Sequence, residues 1–297
     1  MSADLSLSRR HLMVGAASLF AFAPDAKAVN PPRRVVCLDY GLASTLLAFG
    51  FKPLAVVSLA DWDKWVEEPP MPNGIVDLGS SWEINFELLL ALKPDLILST
   101  AFNDLLKPRL DTVAPVFRAS VYAPDGGNIL PKAYQATRDL GRIMQMQDKA
   151  EALLAQADAL FDACRARLAR LSVPSLALVG FMDARHVRIF TAPGLFDDVL
   201  RRLGLRNGWE APGNYWGFET IGIESLSKIT DPHTRLITFE PIPADVLPTL
   251  AKSPLWQALP MAHPDRFGIL PPTLMFGMVV EAMRFARLLT EYLDPQA

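Results

Sequence analysis

Ala150-Glu151-Ala152-Leu153-Leu154-Ala155-Gln156-Ala157-Asp158-Ala159-Leu160-Phe161-Asp162-Ala163-Cys164-Arg165-Ala166-Arg167-Leu168-Ala169-Arg170-Leu171 is the stretch that decides the fold. Ala150, Leu153, Leu154, Ala157, Leu160, Phe161, Cys164, Leu168 and Leu171 recur at helical spacing, so one face is apolar along the whole length. From 132 to 171 there is no proline and no strand pattern, and Gly141 is the only glycine. The spacing predicts one helix of about 25 residues, with a shorter one before it, ended by Ser172-Val173-Pro174.

Outward from this helix, short apolar runs alternate with helical patterns. Upstream, strands are expected at 34–38, 54–58, 74–78 and 95–99, with helices at 42–49 and 86–92. The order β-α-β-β-α-β implies a largely parallel sheet with helices on its faces. Downstream, strands are expected at 175–181, 187–191, 236–239 and 267–270, with helices at 195–203 and 276–292. The two halves echo each other. Glu87-Leu88-Leu89-Leu90-Ala91-Leu92-Lys93-Pro94 leads into Leu96-Ile97-Leu98, and Glu224-Ser225-Leu226-Ser227-Lys228-Ile229, through Asp231-Pro232, leads into Leu236-Ile237-Thr238. The expected fold is α/β: two Rossmann-like α/β lobes joined by a single long helix, with a ligand cleft between them. The lobes are placed at 29–140 and 173–297 and the connecting helix at 141–172. A rigid single-helix link predicts little closure on ligand binding.

Residues 1–28 read as a signal peptide of the twin-arginine type. Arg9-Arg10 precedes the uncharged run 12–23, and Ala26-Lys27-Ala28 is a small-x-small cleavage signal. A spanning helix needs about 20 apolar residues, so this run is too short for an anchor. No lipobox precedes Cys37. The expected location of the mature chain is the periplasm, with no membrane insertion.

The chain has 297 residues, 51% of them hydrophobic and 21% charged, which excludes a disordered protein. The formal net charge of −3 and a sequence pI near 5.8 give no basic surface for nucleic acid. Two cysteines, Cys37 and Cys164, exclude a disulfide scaffold and a multi-cysteine metal module, and both sit in apolar patterns as small hydrophobes. There is no G-x-S-x-G, P-loop, G-x-G-x-x-G or H-E-x-x-H motif. His186, His233 and His263 are far apart and read as turn or surface residues, so no metal site and no catalytic residue is expected.

The aromatic residues carry more. Trp62 and Trp65 lie in the polar stretch Asp61-Trp62-Asp63-Lys64-Trp65. Trp82 follows Gly79-Ser80-Ser81, and Trp216 sits in Gly213-Asn214-Tyr215-Trp216-Gly217-Phe218. Large aromatics in loops at strand ends are where α/β proteins place ligands. Trp256, in a helical pattern, reads as a packing residue, and Trp209 stays open.

Trp65-Val66-Glu67-Glu68-Pro69-Pro70-Met71-Pro72, Asp183-Ala184-Arg185-His186, Asn214-Tyr215-Trp216-Gly217 and Pro254-Leu255-Trp256-Gln257-Ala258-Leu259-Pro260 are the segments through which the chain resembles a known family. It resembles the periplasmic ferric-hydroxamate-binding proteins, the iron–siderophore component of ABC importers, over essentially its whole length. The resemblance implies two α/β lobes and a long connecting helix. It implies capture of an iron(III)–siderophore, hydroxamate-type first, and delivery to an inner-membrane ABC permease. Iron arrives chelated, so no protein cofactor is implied, and the family works as a monomer.

The family's aromatic pocket positions fall on Tyr40, Trp65, Trp216 and Phe276. Ser81 falls where the family has an arginine that binds the hydroxamate oxygens. Asn103, or its neighbour Phe102, falls where the family has a partnering tyrosine, and Leu274 replaces a pocket tryptophan. Trp82, Tyr215, Phe218 and Met275 complete the expected lining. Arg188 stands at a family position that is normally aliphatic and pocket-facing, where a guanidinium fork suits siderophore oxygens. Glu87 and Glu224 fall where each lobe carries one permease-docking glutamate. The missing Arg and Tyr anchors leave a citrate or carboxylate chelate, a catecholate or cobalamin as alternative cargo. Catecholate needs strong basic residues in the cleft, and only Arg185 and Arg188 are candidates. A periplasmic enzyme, or a purely structural or sensor role, is the reading from another class.

Overall fold

The structure is a computed structural model that describes residues 30–124 and 126–295; the expected signal peptide, 1–28, lies outside the described residues. In the N-terminal half, β1 (Val35–Cys37) leads into α1 (Tyr40–Ala48) and β2 (Ala55–Val56). The single turn α2 (Trp62–Trp65), β3 (Val76–Asp77), α3 (Phe86–Leu92), β4 (Leu96–Thr100), the short α4 (Lys107–Leu110) and β5 (Val116–Ala119) follow. The sheet order is β3-β2-β1-β4-β5 and every pairing is parallel. Val35, Val36, Cys37, Ile97 and Leu98 are fully buried, as strands covered on both faces must be. Parallel strands send all their C-terminal loops to one edge. Tyr40, Ser58, Ser81, Asn103 and Tyr122 therefore gather there.

Two helices cross between the sheets, α5 (Ile129–Ile143) and α6 (Gln147–Leu168). The long helix expected from its apolar stripe is α6, of 22 residues. Leu153, Leu154, Ala157, Phe161, Cys164 and Leu168 are buried; Leu160 is half-buried, and Leu171 is exposed because the helix ends before it. The expected connecting segment 141–172 thus takes in the end of α5 as well. Gly141 is required there, since a Cβ would lie 2.6 Å from that of Ala150.

The C-terminal half runs β6 (Leu176–Phe181), β7 (His186–Phe190), α7 (Leu195–Leu203), β8 (Phe218–Gly222) and β9 (Arg235–Phe239). The short α8 (Val246–Leu250) and α9 (Pro254–Gln257), then β10 (Phe267–Leu270) and α10 (Val279–Leu293), complete it. Its order is β10-β9-β6-β7-β8, with β7 antiparallel to both neighbours. Gly204 closes α7 in the left-handed conformation that glycine favours. Trp256 packs edge-on against Phe181 and Phe267, as its helical pattern predicts. Trp209 is also buried.

Two strands have no counterpart in the sequence reading. β5 follows Pro115 and carries Arg118, which pairs with Asp104. β8 begins inside the glycine-bounded loop.

The link between the halves is also more than one helix. α10 returns to pack on α1, α5, α6 and α7. Leu42 and Leu46 of α1, Phe161 of α6, Phe196 of α7 and Phe285 of α10 share one core. Burying each such side chain contributes roughly 1.5–3 kcal/mol. Across this seam Ser44 of α1 donates to the fully buried Glu281 of α10, whose other oxygen accepts from Met278 N at 2.7 Å. The described residues after 30 fall into one compact unit.

Candidate functional site

Asn214 Oδ1 accepts from Trp216 N at 2.9 Å and Gly217 N donates to Asn214 O at 2.9 Å, forming the turn before β8. Gly217 has φ +82°, and a Cβ there would sit 2.3 Å from Gly194 Cα, so only glycine closes this turn. The turn holds Trp216 flat on Tyr122, the ring centroids 5.9 Å apart at 18°. Tyr122 comes from the loop after β5, so this stack joins the two lobes. Its hydroxyl donates to Met275 O at 2.9 Å and Gly277 O at 3.0 Å. Burial pushes its phenol well up, which keeps it a donor.

Phe276 meets Tyr122 and Trp216 edge-on at 5.7 and 5.4 Å. Tyr215 tilts against Trp216, and Phe218 lies 6.0 Å from Phe276. The expected residues Tyr215, Trp216, Phe218, Met275 and Phe276 are therefore brought together. Leu274 packs, half-buried, on the central core behind them. A small cavity lined by Phe190, Leu195, Phe196, Trp216, Gly217 and Met275 adjoins them.

Arg188 joins this group. It pairs with Gly180 and Thr220 in the middle of the β6-β7-β8 ladder. Its guanidinium carbon lies 5.1 Å from the Phe218 ring, a cation–π contact. Its Nε is buried and has no hydrogen-bond partner. A buried donor without an acceptor is costly, so this atom invites one from outside the chain.

The N-terminal side is different. Tyr40, at the start of α1, donates its hydroxyl to Ser58 O at 2.5 Å and meets Trp62 edge-on at 5.4 Å. Its phenol is pushed up to about 12, chiefly by burial. Trp62 itself is a core residue, with Nε1 donating to Pro69 O at 2.9 Å. Trp65 is 41% exposed with Lys64 Nζ over its ring. Ser81 N donates to Ser58 Oγ at 3.1 Å, which ties the loops after β2 and β3.

Trp82 is 80% exposed and meets Phe102 edge-on, the ring centroids 4.6 Å apart. Of the two neighbours left open at the family's tyrosine position, Asn103 points inward, 2% exposed with Oδ1 unpartnered. Phe102 is the one on the surface. Tyr122 is the residue that sequence reading missed. Its signal was available: an aromatic just before Pro124, after an apolar run, like Trp82 after its strand.

Arg185 does not join the aromatic wall. It lines a separate groove of about 310 Å³ with Ala184, His186, Ile223, Glu224, Ser253 and Leu255. Asp183 accepts from His186 Nδ1 at 3.0 Å at its edge. Glu224 is exposed in the turn after β8 and folds its carboxylate over Gly222, where a Cβ would clash at 2.0 Å. The segment it starts is a 3-10 turn and not the α-helix that the echo with Glu87 suggests. Glu87 is exposed in the first turn of α3, behind the Asn85 cap.

Comparison with known proteins agrees with this architecture. The family described as periplasmic binding protein matches residues 35–273. The iron(3+)-hydroxamate-binding protein FhuD of Escherichia coli is 28% identical over 294 residues, 98% of each chain. The ferric-anguibactin-binding protein FatB of Vibrio anguillarum is 28% identical over 151 residues, about half of each chain. The Vibrio cholerae siderophore-binding protein FhuD, solved with Fe3+-Desferal, superposes with a TM-score of 0.81 at 25% identity, over 88% of this chain and 97% of that one. The triscatecholate-binding FeuA of Bacillus subtilis shares the fold alone, at TM-score 0.70 and 17% identity, over 90% and 94% of the two chains. No helix among the described residues is long and apolar enough to cross a membrane. With two α/β lobes and a match that runs through both, the chain belongs to the periplasmic binding protein family.

Proposed function

We propose that this protein captures an iron(III)–siderophore of the hydroxamate class in the periplasm and hands it to an ABC permease. The observation that carries the reading is the wall of Tyr215, Trp216, Phe218 and Phe276, with the partnerless Arg188 Nε beside it. Aromatic faces bury the organic frame of a chelate, and the guanidinium donates to its anionic oxygens. Tyr40, Trp65 and Trp82 form the facing rim, with Ser81 beside them, Met275 next to the aromatic wall, and Asn103 and Leu274 backing the site from the core. Both FhuD relatives, one named for hydroxamate and one solved with ferric Desferal, support this cargo. A micromolar complex needs about −8 kcal/mol, which several aromatic contacts and one charged fork can supply.

Iron stays within the siderophore, so the protein needs no cofactor and no catalytic group. Glu87 and Glu224 are the docking carboxylates for the permease, one per lobe, and fix orientation more than affinity. The chain acts as an exported monomer, and the twin-arginine pair is its address. A carboxylate-bearing chelate is the second reading, favoured by the unsatisfied Arg188 Nε. Catecholate ranks lower, because it calls for several cations and Arg185 lies in the other groove, away from Arg188 at the aromatic wall.

Tryptophan-fluorescence titration with ferric ferrichrome, ferrioxamine, citrate-hydroxamate and catecholate chelates, their iron-free forms and cobalamin tests this. Saturable quenching by ferric hydroxamate, weakened in Trp216→Ala and Arg188→Ala, is the expected result. A response to cobalamin alone, or to no iron chelate, contradicts it.

A further inference from the structure

Glu67 and Glu68 lie inside the Trp65-to-Pro72 motif, and the cleft reading gives them no role. Their side chains are 48% and 53% exposed, yet both turn onto one guanidinium. Arg284 of α10 is 4% exposed. Its Nη2 donates to Glu67 and its Nε donates to Pro272 O at 2.9 Å, while its buried Nη1 makes no hydrogen bond and meets Glu68 Oε1 as a charge pair at 2.8 Å. Arg287, on the same helix, takes the other Glu68 oxygen at 2.5 Å.

What these partners hold is the point. Glu67 follows Trp65 by two residues, and its backbone is left-handed at φ 62°. Buried Val66 and the Trp62–Pro69 hydrogen bond pin the rest of that loop. Pro272 opens the strap that carries Leu274, Met275 and Phe276 on the opposite wall. We propose that Arg284 is a positioning residue that sets the gap between the two walls. Its fork holds the loop behind Trp65 and the strap behind Phe276 on one buried group. A planar guanidinium can donate to a carboxylate and a carbonyl in fixed directions while its charge faces a second carboxylate; an ammonium lacks that geometry. Two carboxylates face the buried Arg284, and Arg287 pairs with Glu291 as well as Glu68, so the buried cation is neutralised by the acids around it. The Trp65 loop is thereby tied to α10, and the same helix feeds from the strap. This role rests on reading Trp65 and Phe276 as ligand-facing.

The test is a cycle of Glu68→Ala and Trp65→Ala, titrated with ferric Desferal, with Arg284→Lys as the variant that keeps charge and loses the fork. Glu68→Ala and Arg284→Lys are expected to weaken binding roughly 10-fold in the parent and less than about 2-fold on the Trp65→Ala background, the non-additivity of groups acting through one another. Thermal melts check that each variant folds. A ligand-free arm uses 5-fluorotryptophan. The 19F resonance missing from Trp65→Phe is expected to shift in Glu68→Ala, while that of Trp256, in the other lobe, stays. Losses that multiply overturn the proposal, as does an unmoved Trp65 resonance, even if no chelate binds. If Trp65→Ala binds as tightly as the parent, the failure lies in reading Trp65 as ligand-facing, and the gap-setting role falls with it.

Discussion

The C-terminal wall is interlocked and the N-terminal rim stands open. Trp216 is fixed by an Asn–Gly turn, stacked on Tyr122 and met edge-on by Phe276. Trp65 and Trp82 are exposed and touch one side chain each among the ring contacts, Lys64 and Phe102. One wall is organised before a ligand arrives; the other keeps its aromatic faces free. Affinity resides in the first wall and adaptability in the second. Contacts already ordered cost little entropy on binding, whereas each rim side chain that becomes ordered costs about 0.5–1.5 kcal/mol.

The largest expected effect concerns the seam that keeps the walls in register. Burial raises the Glu281 carboxyl from 4.5 to about 7, so the folded protein keeps a proton that the unfolded chain releases. Stability from this group is complete below pH 4.5 and is lost as pH rises to about 7, by roughly 3 kcal/mol in all. Asp39, raised mainly by burial to about 6, acts in the same direction. Glu281→Gln should therefore raise the urea midpoint at pH 8 and flatten, without abolishing, its fall between pH 5 and 8. An unchanged slope contradicts the protonated seam.

Next comes the ordered wall. Trp216→Ala should weaken ferric-hydroxamate binding by about 2 kcal/mol, roughly 30-fold, measured by calorimetry. Arg188→Met keeps the stem over Phe218 and removes the donor. About tenfold weaker binding is expected, with a reduced dependence on ionic strength. The smallest effect belongs to the open rim. Trp82→Ala should leave the melting temperature unchanged and cost under about 0.5 kcal/mol in binding, because it gives up one exposed edge contact. A larger loss at Trp82 than at Trp216 would reverse the comparison.

The contrast also tracks what was legible in the sequence. α6 was legible because its apolar stripe repeats through a segment without proline. β5 was not, because Pro115 and Arg118 break its pattern, and with β5 went Tyr122, the residue that ties the walls together. Trp216 was legible as a loop aromatic, but its neighbours are fixed by packing between lobes, which no local pattern encodes. Arg188, which the resemblance set at a pocket position, lies beside Phe218, whereas Arg185, the other candidate cation for the cleft, lines a separate groove. The second crossing by α10 is likewise a long-range fact: Ser44 and Glu281 are 237 residues apart.

The central claim is that the protein takes up iron only within a siderophore. Equilibrium dialysis against radioactive iron, supplied either as ferric Desferal or as the weak nitrilotriacetate complex, tests it directly. The account predicts one equivalent retained per chain at micromolar concentration from the Desferal complex and none from the other. Equal retention of both, or retention of neither, would contradict it.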